Sequence, residues 1–288
     1  MASLTFHGAA GTVTGAKFLL EGGRGRVLLE CGLFQGPREL RERNWAAGPA
    51  PPGALQAVVL SHAHIDHSGY LPCLTRDGFA GPVYCSQGTA DLLRIVLPDA
   101  ARLQEEEADF RNRTGATRHH PALPLFTAAD ADRALRLLHA VDFGRGVEAA
   151  SGFTVRLAPS GHILGASIVT IEIEGRRLVY SGDLGRYGVP IMRDPEPITE
   201  ADTLLVESTY GNRSHPADDG TAVIAEAVQR AASRGGAVLV PAFAVGRTQE
   251  VLYLLREMEE QGRVPRLPVY LDSPMGAAAT GVYARHPE

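Results

Sequence analysis

Three histidines and an aspartate fall within residues 62–67, in the run HAHIDH. His62 and His64 are two positions apart. In an extended segment alternate side chains point the same way, so both imidazoles can converge on one ion. Asp66 and His67 follow where the chain turns toward Ser68, Gly69 and Tyr70, and they can face a neighbouring point in space. Neutral nitrogens suit one zinc ion, and a mixed nitrogen and carboxylate set suits a second. The run begins directly after an apolar stretch, AVVL at 57–60, which argues against a surface loop that merely happens to be rich in histidine.

Four ligands on one loop cannot complete two metal sites. PSGHILG at 159–165 places His162 between glycines after a strand, and SGDLG at 181–185 places Asp183 in the same kind of position. Small flanking residues let backbone approach an ion closely. Alone, either residue would be read as an ordinary turn residue; beside the first cluster, each becomes a candidate ligand. Gly246 and Arg247 precede a helix opened by Thr248, where free N–H groups favour an anion and a guanidinium adds a phosphate fork. Ser273 follows the next strand at the same expected sheet edge. The plainer reading of Arg247 is a structural arginine at that edge. Glu207 ends the strand-like LLVE, where its plainer reading is a terminal carboxylate.

These residues need elements to hold them. Strands are predicted at 16–21 and 26–30, with a glycine hairpin between them, and at 57–60 and 82–85. A helix is predicted over 89–97, then a partly exposed helix and loop over 102–124. Thr127 and Asp130 form a capping-box pattern for a helix to about residue 141. Strands return at 154–158, 167–173, 177–181 and 204–207, with a hairpin at Gly175. From Asp218 onward helices (221–233, 248–260) alternate with strands (237–241, 267–271), the pattern of a parallel sheet. The expected division is 1–208 and 209–288.

Composition narrows the setting. Of 288 residues, 44% are hydrophobic, which allows a sizeable core, and no apolar run is long enough to span a bilayer. The net charge of −5 argues against a uniformly basic nucleic-acid binder while leaving room for a local basic groove. Cys31, Cys73 and Cys85 form no C-x-x-C pair and no disulfide frame, and the N-terminus shows no secretory signal; the expected location is cytoplasmic. His7, His139, His215 and His286 have no partner motif. His119 and His120 lie in a polar, loop-like stretch.

The series HAHIDH, GHILG and SGDLG resembles the metallo-β-lactamase fold superfamily. LVESTYGN at 205–212, PAFAVGRT at 241–248 and LDSPMG at 271–276 narrow the resemblance to its β-CASP branch, which processes RNA or DNA. GAAGTVTG at 8–15 and CGLFQG at 31–36 are similar to the same family. The implied fold is α/β: an αββα sandwich, incomplete at its C-terminal part, followed by a partial parallel α/β β-CASP module.

The resemblance implies two zinc ions. His62, His64 and His162 would hold one, Asp66 and His67 the other, and Asp183 would bridge them, with a hydroxide between the ions as nucleophile. Asp66 would also orient that nucleophile. Glu207 matches an acidic position that orients a proton-donating histidine. Glu30 stands where the family usually has aspartate, as a support for a metal-bound histidine. The implied activity is endoribonuclease cleavage of single-stranded RNA, with homo-oligomerisation left open.

Family members continue past the position matching Glu288, and the continuation carries the proton-donating histidine and a last zinc ligand. His286, in ARHPE, matches neither. The expectation is therefore a weaker second metal site and a leaving-group step slowed by ~10²–10⁴. The alternatives are a lactonase- or thioesterase-type hydrolase, which has no need of the helix–strand module, and a non-catalytic RNA- or subunit-binding partner, which has no need of the ligand set.

Overall fold

In the computed structural model, residues 2–23, 25–214 and 220–286 are described. The chain divides into two compact units, Met1–Tyr187 with Asp194–Glu207, and Gly188–Arg193 with Ser208–Glu288.

The first unit holds two sheets. One is built from β1 (Ser3–Phe6), β2 (Phe18–Gly22), β3 (Gly25–Leu29), β4 (Ala57–Val59), β5 (Val83–Cys85) and β6 (Leu138–Ala140), in that spatial order. Strands β1 to β3 pair antiparallel, and β3 to β6 are parallel. The other sheet runs β11 (Thr203–Leu205), β10 (Arg176–Tyr180), β9 (Ser167–Ile173), β8 (Phe153–Pro159) and β7 (Gly146–Ala150).

Period-2 alternation sets the register. Phe153, Val155 and Leu157 of β8 lie opposite Ile173, Ile171 and Val169 of β9. All six are buried in one cluster with Phe18, Leu20, Val27, Leu29, Ala57 and Val59 of the first sheet. The sheets therefore share an interior, and each such side chain contributes roughly 1.5–3 kcal/mol when fully buried. On the other side of the first sheet, Leu28 and Val58 are fully buried, as are Leu71 and Leu74 of α3 (Leu71–Arg76) and Leu92, Leu93 and Leu97 of α4 (Gln87–Thr114). Helices α3 and α4 both pack on α5 (Ala128–Leu135). Two shorter helices, α1 (Arg38–Glu42) and α2 (Ile65–Ser68), belong to loops at the strand ends.

Several expectations change. Helix α4 runs 28 residues, through Pro98, instead of stopping at 97. The capping box on Thr127 and Asp130 is present, but α5 ends at Leu135, and 138–140 forms β6 along the open edge of β5. A three-residue strand carries too short a pattern to be separated from a helix end; a neighbouring edge decides it. Strands β1 and β7 were not predicted. Neither buries a full apolar alternation, and each is held by its neighbour's ladder.

The second unit contains α6 (Thr221–Ser233), α7 (Arg247–Glu260) and α8 (Pro274–Tyr283). Ala225, Val228, Met258 and Val264 form its small core. The strands expected at 237–241 and 267–271 have no ladder partner among the described residues, and Leu239 and Tyr270 are 93% and 87% exposed. Among the described residues no ladder joins these two runs into the parallel sheet expected here. An apolar run becomes a strand only where a neighbour takes up its backbone groups. Asp218, where the alternation was expected to begin, and His215 lie outside the described residues.

Candidate metal centre

Four loops at strand carboxyl ends build the site, the position where α/β sheets tend to place ligands. Glu30 follows β3, the 60–67 loop follows β4, His162 follows β8, and Asp183 follows β10. His62 and His64 lie in the loop, and Asp66 and His67 sit on α2.

The loops are locked by backbone contacts. Cys31 N–H donates to the His67 carbonyl (2.8 Å), Leu33 N–H to the Ile65 carbonyl (2.9 Å), and Ala16 N–H to the Asp66 carbonyl (2.9 Å). Gly32 is required here, because a Cβ would lie 1.6 Å from the Asp66 carbonyl oxygen. Ser160 Oγ donates to the Asp183 carbonyl (2.8 Å), and Gly185 N–H donates to the Ser160 carbonyl (2.8 Å).

His62 Nε2 and His162 Nε2 lie 3.0 and 3.2 Å from His64 Nδ1. Asp183 Oδ2 is 3.8 Å from His62 Nε2 and 3.6 Å from His162 Nε2. These four side chains form a group whose ligand atoms all lie within 4.8 Å of one another. A tetrahedral ion with bonds of about 2.0–2.1 Å separates its donors by roughly 3.3 Å, so the spacing fits one cation. Asp183 Oδ1 faces the other way, 3.4 Å from His67 Nε2, which is itself 3.8 Å from Asp66 Oδ2.

Charge state matches this use. Burial, then the neighbouring imidazoles, hold His62 well below the usual histidine range. The same causes bring His64 down to about 3, and burial followed by His67 brings His162 down to about 4. The three rings are neutral donors, as metal ligands must be. Burial also opposes charge on His67, but the Glu30, Asp183 and Asp66 carboxylates outweigh it and raise His67 to about 9. Burial raises Asp183, against the pull of His67.

Glu207 lies beside this group. Its Oε1 accepts from Leu184 N–H at 3.3 Å, and its own N–H donates to Ser181 Oγ at 3.0 Å. Two supports were not singled out in the sequence. Ser61 Oγ lies 2.9 Å from His62 Nδ1, and Tyr180 OH lies 3.5 Å from His67 Nδ1. Their only sequence signal is position: each ends or follows a strand that delivers a ligand.

In the second unit, the three residues expected to bind phosphate serve helix ends. Gly246 N–H donates to Gln249 Oε1 (2.7 Å), Arg247 Nε is 3.3 Å from Glu250 Oε2, and Ser273 Oγ caps α8 by accepting from Gly276 N–H (3.0 Å). His119 and His120 are exposed and join no metal-ligating group among the described residues.

The four-histidine and carboxylate geometry has a counterpart in sequence comparison. A family model described as Beta-lactamase superfamily domain matches residues 25–242, and a Beta-Casp domain model matches 248–288. The chain belongs to the β-CASP branch of the metallo-β-lactamase superfamily. Among curated β-CASP relatives, Ribonuclease TTHA0252 of Thermus thermophilus is 40% identical over 96% of this chain and 60% of its own length. The Transcription termination factor FttA of Methanosarcina mazei is 32% identical over 99% of this chain and 44% of its own. The chain thus spans about half the length of these relatives. A protein of unknown function from Enterococcus faecalis V583 shares the fold, with a TM-score of 0.56 at 17% identity, covering 98% of this chain and 67% of that one. No helix among the described residues is long and apolar enough to cross a membrane.

Proposed function

We propose that this chain is a zinc-dependent phosphodiesterase that cleaves single-stranded RNA internally. The observation that carries this reading is the split of one carboxylate: Asp183 Oδ2 faces the His62, His64 and His162 set while Oδ1 faces His67. That arrangement fits two adjacent cations with Asp183 shared between them. His62, His64 and His162 would hold one zinc; Asp66 and His67 would hold the other, where a cation would take the place of the proton that the surrounding carboxylates favour on His67. Zinc bound there would supply Lewis acidity toward the phosphoryl group and water acidified to near neutral pH.

The chain's own groups do the rest. Asp66, on the wall of the second set, accepts a hydrogen bond from the attacking water and aims it. Glu207 places negative charge beside His162, and that charge favours a proton on a group delivered nearby. The part from 209 onward forms the β-CASP portion, where Arg247 offers a cation to the phosphate backbone beside Gly246 and Ser273. The ribonuclease relative supports RNA as substrate, and three buried free thiols suit a reducing, cytoplasmic setting.

The test is zinc content and cleavage of a single-stranded RNA by His62→Ala and Asp183→Ala beside the parent. Both variants should lose bound zinc and cleavage together. Unchanged zinc and unchanged cleavage in both would reject the reading.

A further inference from the structure

The peptide group that follows Asp183 is held at both edges by side chains from elsewhere in the chain. Its carbonyl, that of Asp183, accepts from Ser160 Oγ (2.8 Å). Its N–H, that of Leu184, donates to Glu207 Oε1 (3.3 Å). A peptide unit is planar, so a bond on each edge fixes the plane against rotation. The two partners reach it from opposite sides of β10, the strand that delivers Asp183. Ser160 follows β8, which β9 separates from β10, and Glu207 lies just past β11 on the other flank.

Each partner is itself anchored. Ser160 is fully buried; its N–H donates to the Ala166 carbonyl (2.9 Å), and its carbonyl accepts from Gly185 N–H (2.8 Å). Gly185 has no room for a side chain, because a Cβ there would meet the Gly161 carbonyl oxygen. Glu207 N–H donates to Ser181 Oγ (3.0 Å), and that hydroxyl donates to the Gly182 carbonyl (2.6 Å). The backbone on both sides of Asp183 is thus tied down from Ser181 to Gly185.

An aspartate carries its carboxylate one methylene from Cα, so once the backbone is fixed only a few staggered rotamers remain. Asp183 needs that restraint. Its Oδ2 lies 3.8 and 3.6 Å from His62 Nε2 and His162 Nε2, while Oδ1 lies 3.4 Å from His67 Nε2. Turning the carboxylate toward one side would withdraw an oxygen from the other.

We propose that Ser160 and Glu207 are positioning residues that grip the Asp183–Leu184 peptide from either side and so set how the two oxygens of Asp183 divide; this rests on the two-cation reading above. Glu207 acts here through a hydrogen bond to backbone, a role separate from the charge it places beside His162.

The experiment measures zinc affinity, by competition with a chromophoric chelator, in the parent, Ser160→Ala, Glu207→Ala, Glu207→Gln and the Ser160→Ala, Glu207→Ala double variant. Cobalt(II) absorption spectra report ligand geometry, and melting of the metal-free proteins reports the fold. Ser160→Ala and Glu207→Ala should each bind zinc roughly 10- to 100-fold more weakly and show an altered cobalt spectrum. Glu207→Gln keeps an oxygen for Leu184 N–H and should stay close to the parent. The double variant should lose little more than the weaker single variant, because losing either bond already frees the peptide.

Parental zinc affinity and cobalt spectra in both alanine variants, whatever their melting temperatures, overturn the clamp and leave the metal reading intact. A Glu207→Gln as weak as Glu207→Ala overturns it in favour of charge. A double variant whose loss is the product of the two single losses overturns it in favour of separate roles. A parent that binds no zinc overturns both the clamp and the metal reading.

Discussion

Glu30 Oε2 lies 3.3 Å from His67 Nδ1, while Glu30 Oε1 accepts the Ser61 N–H at 2.7 Å. Ser61 Oγ in turn lies 2.9 Å from His62 Nδ1. One fully buried carboxylate thus supports a histidine of each donor set. Glutamate holds a left-handed backbone here, φ 63°, a conformation a non-glycine residue adopts only under constraint from its surroundings. Its contact with His67 acts through hydrogen bonding first and through charge second, and both favour a proton on that ring.

Replacing that charge should therefore be felt by the metal. Glu30→Gln keeps the shape and removes the carboxylate that orients His67. Zinc affinity should fall by roughly 10- to 100-fold, the usual cost of losing a partner behind a ligating histidine. Competition with a chromophoric chelator measures this. Unaltered affinity would show that His67 needs no such support.

Lys17 gives a pH dependence away from the metal. It is buried, its Nζ lies 4.5 and 4.6 Å from the centroids of the Phe34 and Tyr70 rings, and burial lowers its pKa from 10.5 to about 8. Between those values the unfolded chain binds more protons than the folded one, so stability rises with pH through that window. Below about 8 the full penalty is present. Lys17→Met should be more stable than the parent at pH 7, by at most roughly 3 kcal/mol less the lost cation–π contacts. The advantage should shrink toward pH 10. Parallel melting-temperature profiles of the two proteins across that range would refute the account.

Ser86 joins a helix start to a ligand loop. Its Oγ caps α4 by accepting from Thr89 N–H at 3.1 Å and donates to the Gly165 carbonyl of the His162 loop at 2.5 Å. Ser86→Ala should lower stability by about 1–2 kcal/mol, as loss of a helix cap does. Denaturant unfolding should show a lower midpoint with an unchanged slope. A midpoint equal to the parent's would mean that the cap contributes nothing.

Gly32→Ala should be far more damaging than its size implies. The added methyl would meet the Asp66 carbonyl oxygen at 1.6 Å, so the ligand loop must move. The expected outcome is a loss of at least 2–3 kcal/mol, in the range of overpacked sites. Zinc retention should fall in any protein that still folds. Circular dichroism melting together with metal analysis checks both; a stable, zinc-replete variant would contradict the close approach.

The candidate ligands were legible because ligand chemistry is local. Histidine and aspartate types, a two-residue spacing after an apolar strand, and glycines around His162 and Asp183 all lie within short stretches. The strands that deliver them were legible too, since β2, β3, β4, β8, β9 and β10 carry their own apolar alternation or apolar run. What residues 237–241 and 267–271 would become was not, because a strand is a relation between two segments. Those runs read as strands and find no partner among the described residues, whereas 138–140 read as helix and was claimed by the edge of β5.

Amino-acid order alone thus determined which side chains were available and which strand ends would present them. Only the folded arrangement decided that the two oxygens of Asp183 divide between the His62, His64 and His162 set and His67, that Glu30 touches His67 directly and His62 through Ser61, and that Gly246, Arg247 and Ser273 stand at helix starts. The reason is distance along the chain. A residue's chemistry is its own, but its partners lie tens of positions away, and packing of the two sheets alone brings them within reach.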